Sequence, residues 1–166
     1  MNPELVEERQ PPGLAVPVRL LLFENSPEET AAILRELEQS DIPVQADTTA
    51  LPEEFCRRLA ERSYDAVLAD YGLPEGAGLE ALQELRRSGK DTPFLLLAAA
   101  LADEEAVECI KQGVSDYIRK DHLSRLPAAL KRALREKELR DENKQPQAAL
   151  ARREDRLRAV IEAVPH

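Results

Sequence analysis

Tyr64-Asp65-Ala66-Val67-Leu68-Ala69-Asp70-Tyr71-Gly72-Leu73-Pro74 reads as a short buried strand, Ala66 to Ala69, that stops in a carboxylate. The Gly and the Leu-Pro turn after it are the punctuation that ends a strand. In an open parallel sheet, ligands bind outside the carboxyl ends of the strands. A rigidly supported acid at such an end, Asp70, is the first candidate for chemistry.

The same kind of run recurs on either side. Val18 to Phe23 is apolar except for Arg19 and ends in Glu24-Asn25; Phe94 to Ala98 is wholly apolar; Asp116 to Lys120 forms a short last strand. Ile42 to Ala46 is a weaker strand, and its Pro43 moves it towards a sheet edge. Helical patterns separate these runs. Ser26-Pro27-Glu28-Glu29 is a helix start, with Ser as cap, Pro in the first turn and Glu three residues after the cap. Ala32/Ile33, Leu37 and the stem of Glu36 form the buried face of that helix. Pro52 opens a second helix with Phe55, Leu59 and Ala60 on one face. Gly78 to Leu85 is a third, with Leu79, Leu82 and Leu85 inward, and Asp103 to Gln112 a fourth, ended by Gly113. A last helix starts after Asp121 or Ser124. Strands this apolar, alternating with helices, predict an α/β fold: a doubly wound, five-stranded parallel sheet covered on both faces. Pattern alone does not give the strand order.

Composition narrows the function classes. The 166 residues are 43% hydrophobic and 33% charged, as in a soluble globular chain. No run of about 18 apolar residues and no basic-then-apolar leader is visible, so neither a membrane span nor a secretory signal is expected. The net charge of −9 is unevenly spread. Residues 127–166 hold ten Lys/Arg against seven Asp/Glu, and residues 1–126 hold thirteen against twenty-five. So acidic a body argues against nucleic-acid binding, which rests on phosphate neutralisation by Lys and Arg. Cys56 and Cys109 have no metal-ligand spacing; both are expected as small core residues in a reducing, cytoplasmic setting. His122 is expected at the surface.

Three strand ends carry polar groups: Glu24/Asn25, Asp70 and Lys120. In a parallel sheet all three lie on one edge. Two carboxylates and an amide suit a hard cation such as Mg²⁺, and a Lys beside them can hold a phosphoryl oxygen. A carboxylate so placed can act as a nucleophile towards phosphorus.

From about Val18 to Leu139 the chain resembles a response-regulator receiver domain of two-component signalling systems. The resemblance lies in Leu20-Leu21-Leu22-Phe23-Glu24-Asn25-Ser26-Pro27, in the Asp70 stretch with Gly78-Leu79, in Pro93-Phe94-Leu95-Leu96-Leu97, and in Gly113-Val114-Ser115-Asp116-Tyr117-Ile118-Arg119-Lys120-Asp121. It implies the flavodoxin-like strand order 2-1-3-4-5, with the site at the switch between the first and third strands. Position by position it implies Asp70 as phosphoryl acceptor and Glu24 as a Mg²⁺ holder through water. Gly72 would offer its carbonyl to the metal, Lys120 would bind a phosphoryl oxygen, and Tyr117 would be the aromatic that changes rotamer on activation. The donor would be a histidine kinase or phosphotransfer protein, and the domain no enzyme beyond accepting its own phosphoryl group from a phosphodonor.

Two positions depart from the family pattern. Asn25 stands where a metal-binding Asp is usual, which removes a charge and predicts weaker Mg²⁺ binding. Ala98 stands where a Thr or Ser usually bonds the phosphoryl group. A hydrogen bond to a charged group is worth roughly 1.5–3 kcal/mol, so its loss weakens the link from phosphorylation to switching. Two readings therefore stay open: a receiver relaying through its C-terminal helix, or a degenerate receiver used as a phosphorylation-independent dimerisation or docking module. A small flavodoxin-like enzyme is disfavoured by the lack of a Gly-rich phosphate loop after the first strand.

The termini are read separately. Residues 1–17, with four of the twelve prolines and no periodicity, are expected to be a disordered leader. Residues 140–166 are expected to be a helical linker in which Pro146 either kinks a helix or starts a new one. Leu150, Leu157 and Val164 recur every seven residues, with Val160 at one intermediate position and Arg153 interrupting the other. This short, imperfect heptad pattern reads either as a solvated linker helix or, in preference, as the seam of a parallel homodimer through this helix. Leu157 to Pro165 resembles the first helix of a PAS sensory domain, which implies a longer signalling protein with a sensor or output module beyond this chain.

Overall fold

The computed structural model describes residues 16–142. The expectations for the leader and for most of the tail lie outside the described residues. Five parallel strands, β1 (Val18–Phe23), β2 (Val44–Thr49), β3 (Ala66–Asp70), β4 (Phe94–Ala98) and β5 (Asp116–Arg119), form one sheet in the order β2-β1-β3-β4-β5. Helices α1 (Pro27–Gln39), α2 (Pro52–Glu61), α3 (Ala77–Arg87) and α4 (Asp103–Gln112) connect them. A 3₁₀ turn, Lys120–Arg125, leads into α5, residues 126–142. The chain divides into two units between Leu134 and Arg135; the described part of the second, residues 135–142, is helical. Among the described residues no helix is long and apolar enough to cross a membrane.

Continuous apolar strands are required because side chains alternate between two covered faces. Leu20, Leu22, Leu68, Leu95, Leu97 and Ile118 pack with Ile33 and Leu37 of α1 and Leu126 and Leu130 of α5. Leu21, Phe23, Val67, Phe94 and Leu96 face the other way, onto Phe55 and Leu59 of α2, Leu82 and Leu85 of α3, and Cys109 of α4. Phe23 and Phe55 stack with ring centroids 5.0 Å apart, an arrangement that adds to the area they bury.

Registry sets the site. Phe23 pairs with Ala69, Asp70 with Leu97, and Leu97 with Ile118. Glu24, just past the end of β1, is thereby level with Asp70. Lys120, just past the end of β5, lies two residues beyond Ile118, the β5 residue at that level, and meets Asp70 through its long side chain. Strand alternation puts Glu24 in phase with Leu22, Asp70 with Leu68, and Lys120 with Ile118. All three belong to the face covered by α1 and α5.

Several elements differ from the sequence reading. β2 begins after Pro43 and runs on through polar Asp47 to Thr49. Pro43 still accepts from the Val18 N–H through its carbonyl (2.8 Å), while Ile42 drops into the core. At a sheet edge the ladder to β1 holds such residues without needing two apolar faces. Cys56 and Ala60 are exposed rather than buried, because the covered stripe of α2 is no wider than Phe55 and Leu59. Leu79 is only half-buried, and β5 stops one residue short of Lys120. Cys109 is buried and His122 exposed, as expected.

Candidate functional site

β3 delivers Asp70 to the sheet edge with its side chain only 5% exposed. The next turn holds it there: the Gly72 N–H donates to Asp70 Oδ1 at 2.9 Å. The start of α3 lies directly behind. A Cβ on Gly78 would come within 2.3 Å of the Asp70 carbonyl oxygen, so only glycine permits this approach. From β5, Lys120 reaches across and places Nζ 2.9 Å from Asp70 Oδ2 and 3.7 Å from Glu24 Oε2.

Glu24 forms the floor, its side chain fully out of contact with solvent. Its Oε1 accepts from the N–H groups of Asn25 (3.0 Å) and Ser26 (3.2 Å). Its Oε2 is buried without a hydrogen-bond partner. Burial, and next the charge of Asp70, push the Glu24 carboxyl up from 4.5 to about 7, against the pull of the Lys120 ammonium. Burial draws the Lys120 ammonium down, but hydrogen bonds from it to Glu29 and Asp70 and the charge of Glu24 outweigh that and leave it above its ordinary value.

Glu29 is the member of the cluster that the sequence reading did not place here. Ser26 caps α1 by accepting from the Glu29 N–H at 3.3 Å, as the helix-start pattern predicts. The reciprocal half of the capping box is absent. The Ser26 N–H is already held by Glu24, and the Glu29 carboxylate turns instead to Lys120. One oxygen each from Glu24, Glu29 and Asp70 lie within 4.8 Å of one another.

The remaining candidates sit around this cluster. Asn25 is exposed, and its backbone N–H donates to Glu24 Oε1. Ala98 is fully buried at the end of β4, opposite Arg119. Tyr117 is half-buried and packs with the α2–α3–α4 face, lining a groove with Ala106, Val107 and Ile110 of α4. Tyr71, next to Asp70, donates from its hydroxyl to Glu105 of α4 at 2.8 Å and ties the β3–α3 turn to that helix.

An all-oxygen donor set with one buried, unpartnered carboxylate oxygen fits a hard divalent cation. A strand-end carboxylate backed by an N–H and faced by an ammonium fits attack on phosphorus, with the ammonium free to follow the charge to the transferred group.

Residues 20–131 match the family model of the response regulator receiver domain. The chain is 34% identical over 103 residues to the transcriptional regulatory protein TcrA of Mycobacterium tuberculosis, covering 62% of this chain and 40% of that protein. It is 30% identical over 122 residues to the response regulator MprA of a Mycobacterium species, covering 70% and 52%. Among solved structures, a response regulator from Hahella chejuensis superposes with a TM-score of 0.63 at 26% identity, covering 70% of this chain and 95% of that one. The Francisella response regulator 1452 receiver domain gives a TM-score of 0.64 at 20% identity, over 72% and 98%. The chain spans about half or less of the length of these two sequence relatives.

Proposed function

The chain belongs to the response regulator receiver domain family, and on that premise we propose that it accepts a phosphoryl group on Asp70 and relays the change through α5. The observation that carries this reading is the Asp70 carboxylate held at a strand end by the Gly72 N–H, with Lys120 Nζ 2.9 Å away. One Asp70 oxygen forms the new bond to phosphorus as the bond from phosphorus to the donor breaks, and the donor leaves with that electron pair. Lys120 then shifts its ion pair from the carboxylate to an oxygen of the transferred group. Glu24, Asp70, the Gly72 carbonyl and the Asn25 amide are the groups that would hold Mg²⁺. When bound, the ion neutralises phosphoryl oxygens and draws the donor in. A histidine kinase or phosphotransfer protein is the fitting donor.

Ala98 favours a second reading. Its methyl offers no hydrogen bond to a phosphorylated Asp70, and Tyr117 loses the hydroxyl partner that would draw it inward. A degenerate receiver serving as a docking or dimerisation module is consistent with that loss.

Intact mass after incubation with Mg²⁺ and acetyl phosphate separates the two. Addition of a single phosphoryl group, absent in Asp70→Asn, is the expected result. A folded, Mg²⁺-saturated protein that gains no mass, from acetyl phosphate or from a phosphorylated phosphotransfer protein, points to the docking module.

A further inference from the structure

We propose that Glu29, from the first turn of α1, supplies the third carboxylate of the divalent-cation site, in the place of the acid that Asn25 does not provide. The inference rests on the cation-assisted reading of Asp70 above. It starts from a juxtaposition: Glu24, Glu29 and Asp70 each direct a carboxylate oxygen into one space, all within 4.8 Å. Glu24 Oε2 is the independent sign of a missing ligand there. It belongs to a side chain with no solvent exposure and has no hydrogen-bond partner, the Lys120 ammonium standing off at 3.7 Å. This is a costly state for a carboxylate oxygen that a cation in direct contact would relieve.

The fold explains how Glu29 arrives. Glu24, Asp70 and Lys120 are in phase on the sheet face that α1 covers, so the first turn of α1 overhangs them. In a capping box the N3 carboxylate is occupied by the cap residue's N–H. Here Glu24 Oε1 holds the Ser26 N–H at 3.2 Å, and Glu29 is released towards the site. Charge agrees with this assignment. Three carboxylates and the Lys120 ammonium leave two negative charges for a divalent ion; without Glu29 one remains. The Glu29 side chain is 41% exposed, so it forms the solvent side of the cluster while Glu24 forms the floor. Its exposure leaves room for the waters that Mg²⁺ retains.

The competing role for Glu29 is a plain ion pair with Lys120, and the experiment separates the two. Mn²⁺ binding to the full chain is followed by electron paramagnetic resonance, with Mg²⁺ as competitor and circular dichroism confirming the fold of each variant. Wild type is expected to bind one Mn²⁺ that Mg²⁺ displaces. Glu29→Gln is expected to lose about tenfold or more in affinity, the effect of removing one nearby charge from a partly buried site. Adding Asn25→Asp to Glu29→Gln is expected to recover most of that loss. Equal binding by wild type and Glu29→Gln overturns the proposal, and so does a double variant no better than Glu29→Gln. Wild type that binds no Mn²⁺ overturns the cation site as a whole, while phosphoryl transfer to Asp70 is read separately by mass.

Discussion

Glu24 shows how a single buried acid sets the behaviour of the site. Its carboxyl titrates near 4.5 when exposed and at about 7 in the folded chain, raised by burial and by Asp70. The folded, metal-free protein therefore holds this proton more tightly than the unfolded chain does. Between those two values stability falls as pH rises, and above about 7 the whole cost of the charged form is present. Glu24→Gln removes that cost, while its amide oxygen can still accept from Asn25 and Ser26. In metal-free buffer at pH 8 the variant is expected to be more stable than wild type, by at most about 3 kcal/mol for a shift of this size. The gain should fade as pH drops towards 4.5. Thermal unfolding of both proteins across this range checks it, and parallel pH profiles would refute it. Glu24 and Asp70 were legible in sequence because each follows an apolar run, and Lys120 because it ends the short stretch after Gly113 that resembles the family's last strand. Glu29 was not. Its local pattern is complete as a helix cap, while its ion pair with Lys120 spans 91 residues, a distance that no local pattern reports.

The turn from β3 into α3 is the element on which the placement of Asp70 depends. Gly78 lies against the Asp70 backbone, and an added Cβ would sit 2.3 Å from the carbonyl oxygen and 3.1 Å from its carbon. Backbone cannot yield as a side-chain tip can. Gly78→Ala is therefore expected to cost about 1–3 kcal/mol, as for other overpacked sites, and to displace the loop that carries Asp70. Gly72→Ala is the comparison. Its Cβ would meet Asp70 Oδ1 at 3.4 Å, an ordinary contact, and it should unfold close to wild type. Chemical denaturation of the two variants decides, and equal stability would contradict this account of the turn.

Strands β1 and β4 and helix α4 take the bounds that their sequence patterns define. Each is bracketed by strong signals: the polar pair Glu24-Asn25 after Phe23, Pro93 before Phe94, Gly113 after Gln112. Gly113 adopts φ +111°, the left-handed conformation that a helix stop of this kind uses. β2 was the least legible element. Its polar residues are held by pairing with β1, a non-local cause. Cys56 and Ala60 mark the same limit, since α2 lies on the sheet through a stripe too narrow to reach them.

At the scale of the molecule, the sheet order β2-β1-β3-β4-β5 gathers the ends of β1, β3 and β5 so that Glu24, Asp70 and Lys120 share one edge. That order came from family resemblance rather than from periodicity, because alternation says which face a residue takes but not which strands are neighbours. We propose that the heptad positions Leu150, Leu157 and Val164 pair two copies of the chain and couple the receiver to its output. Sedimentation equilibrium should give a dimer mass for the full chain and a monomer mass once Leu150 and Leu157 are changed to Lys. The same mass for both would show that these positions do not pair two copies.

The central claim is that phosphorus bonds to Asp70 and to none of the carboxylates around it. Borohydride reduction of the protein after acetyl phosphate treatment, followed by peptide mass mapping, reads this directly, since reduction converts an aspartyl phosphate to homoserine. Homoserine is expected at position 70, with Glu24 and Glu29 unmodified. Reduction at either glutamate, or a chain left unmodified although folded and supplied with Mg²⁺, would contradict it.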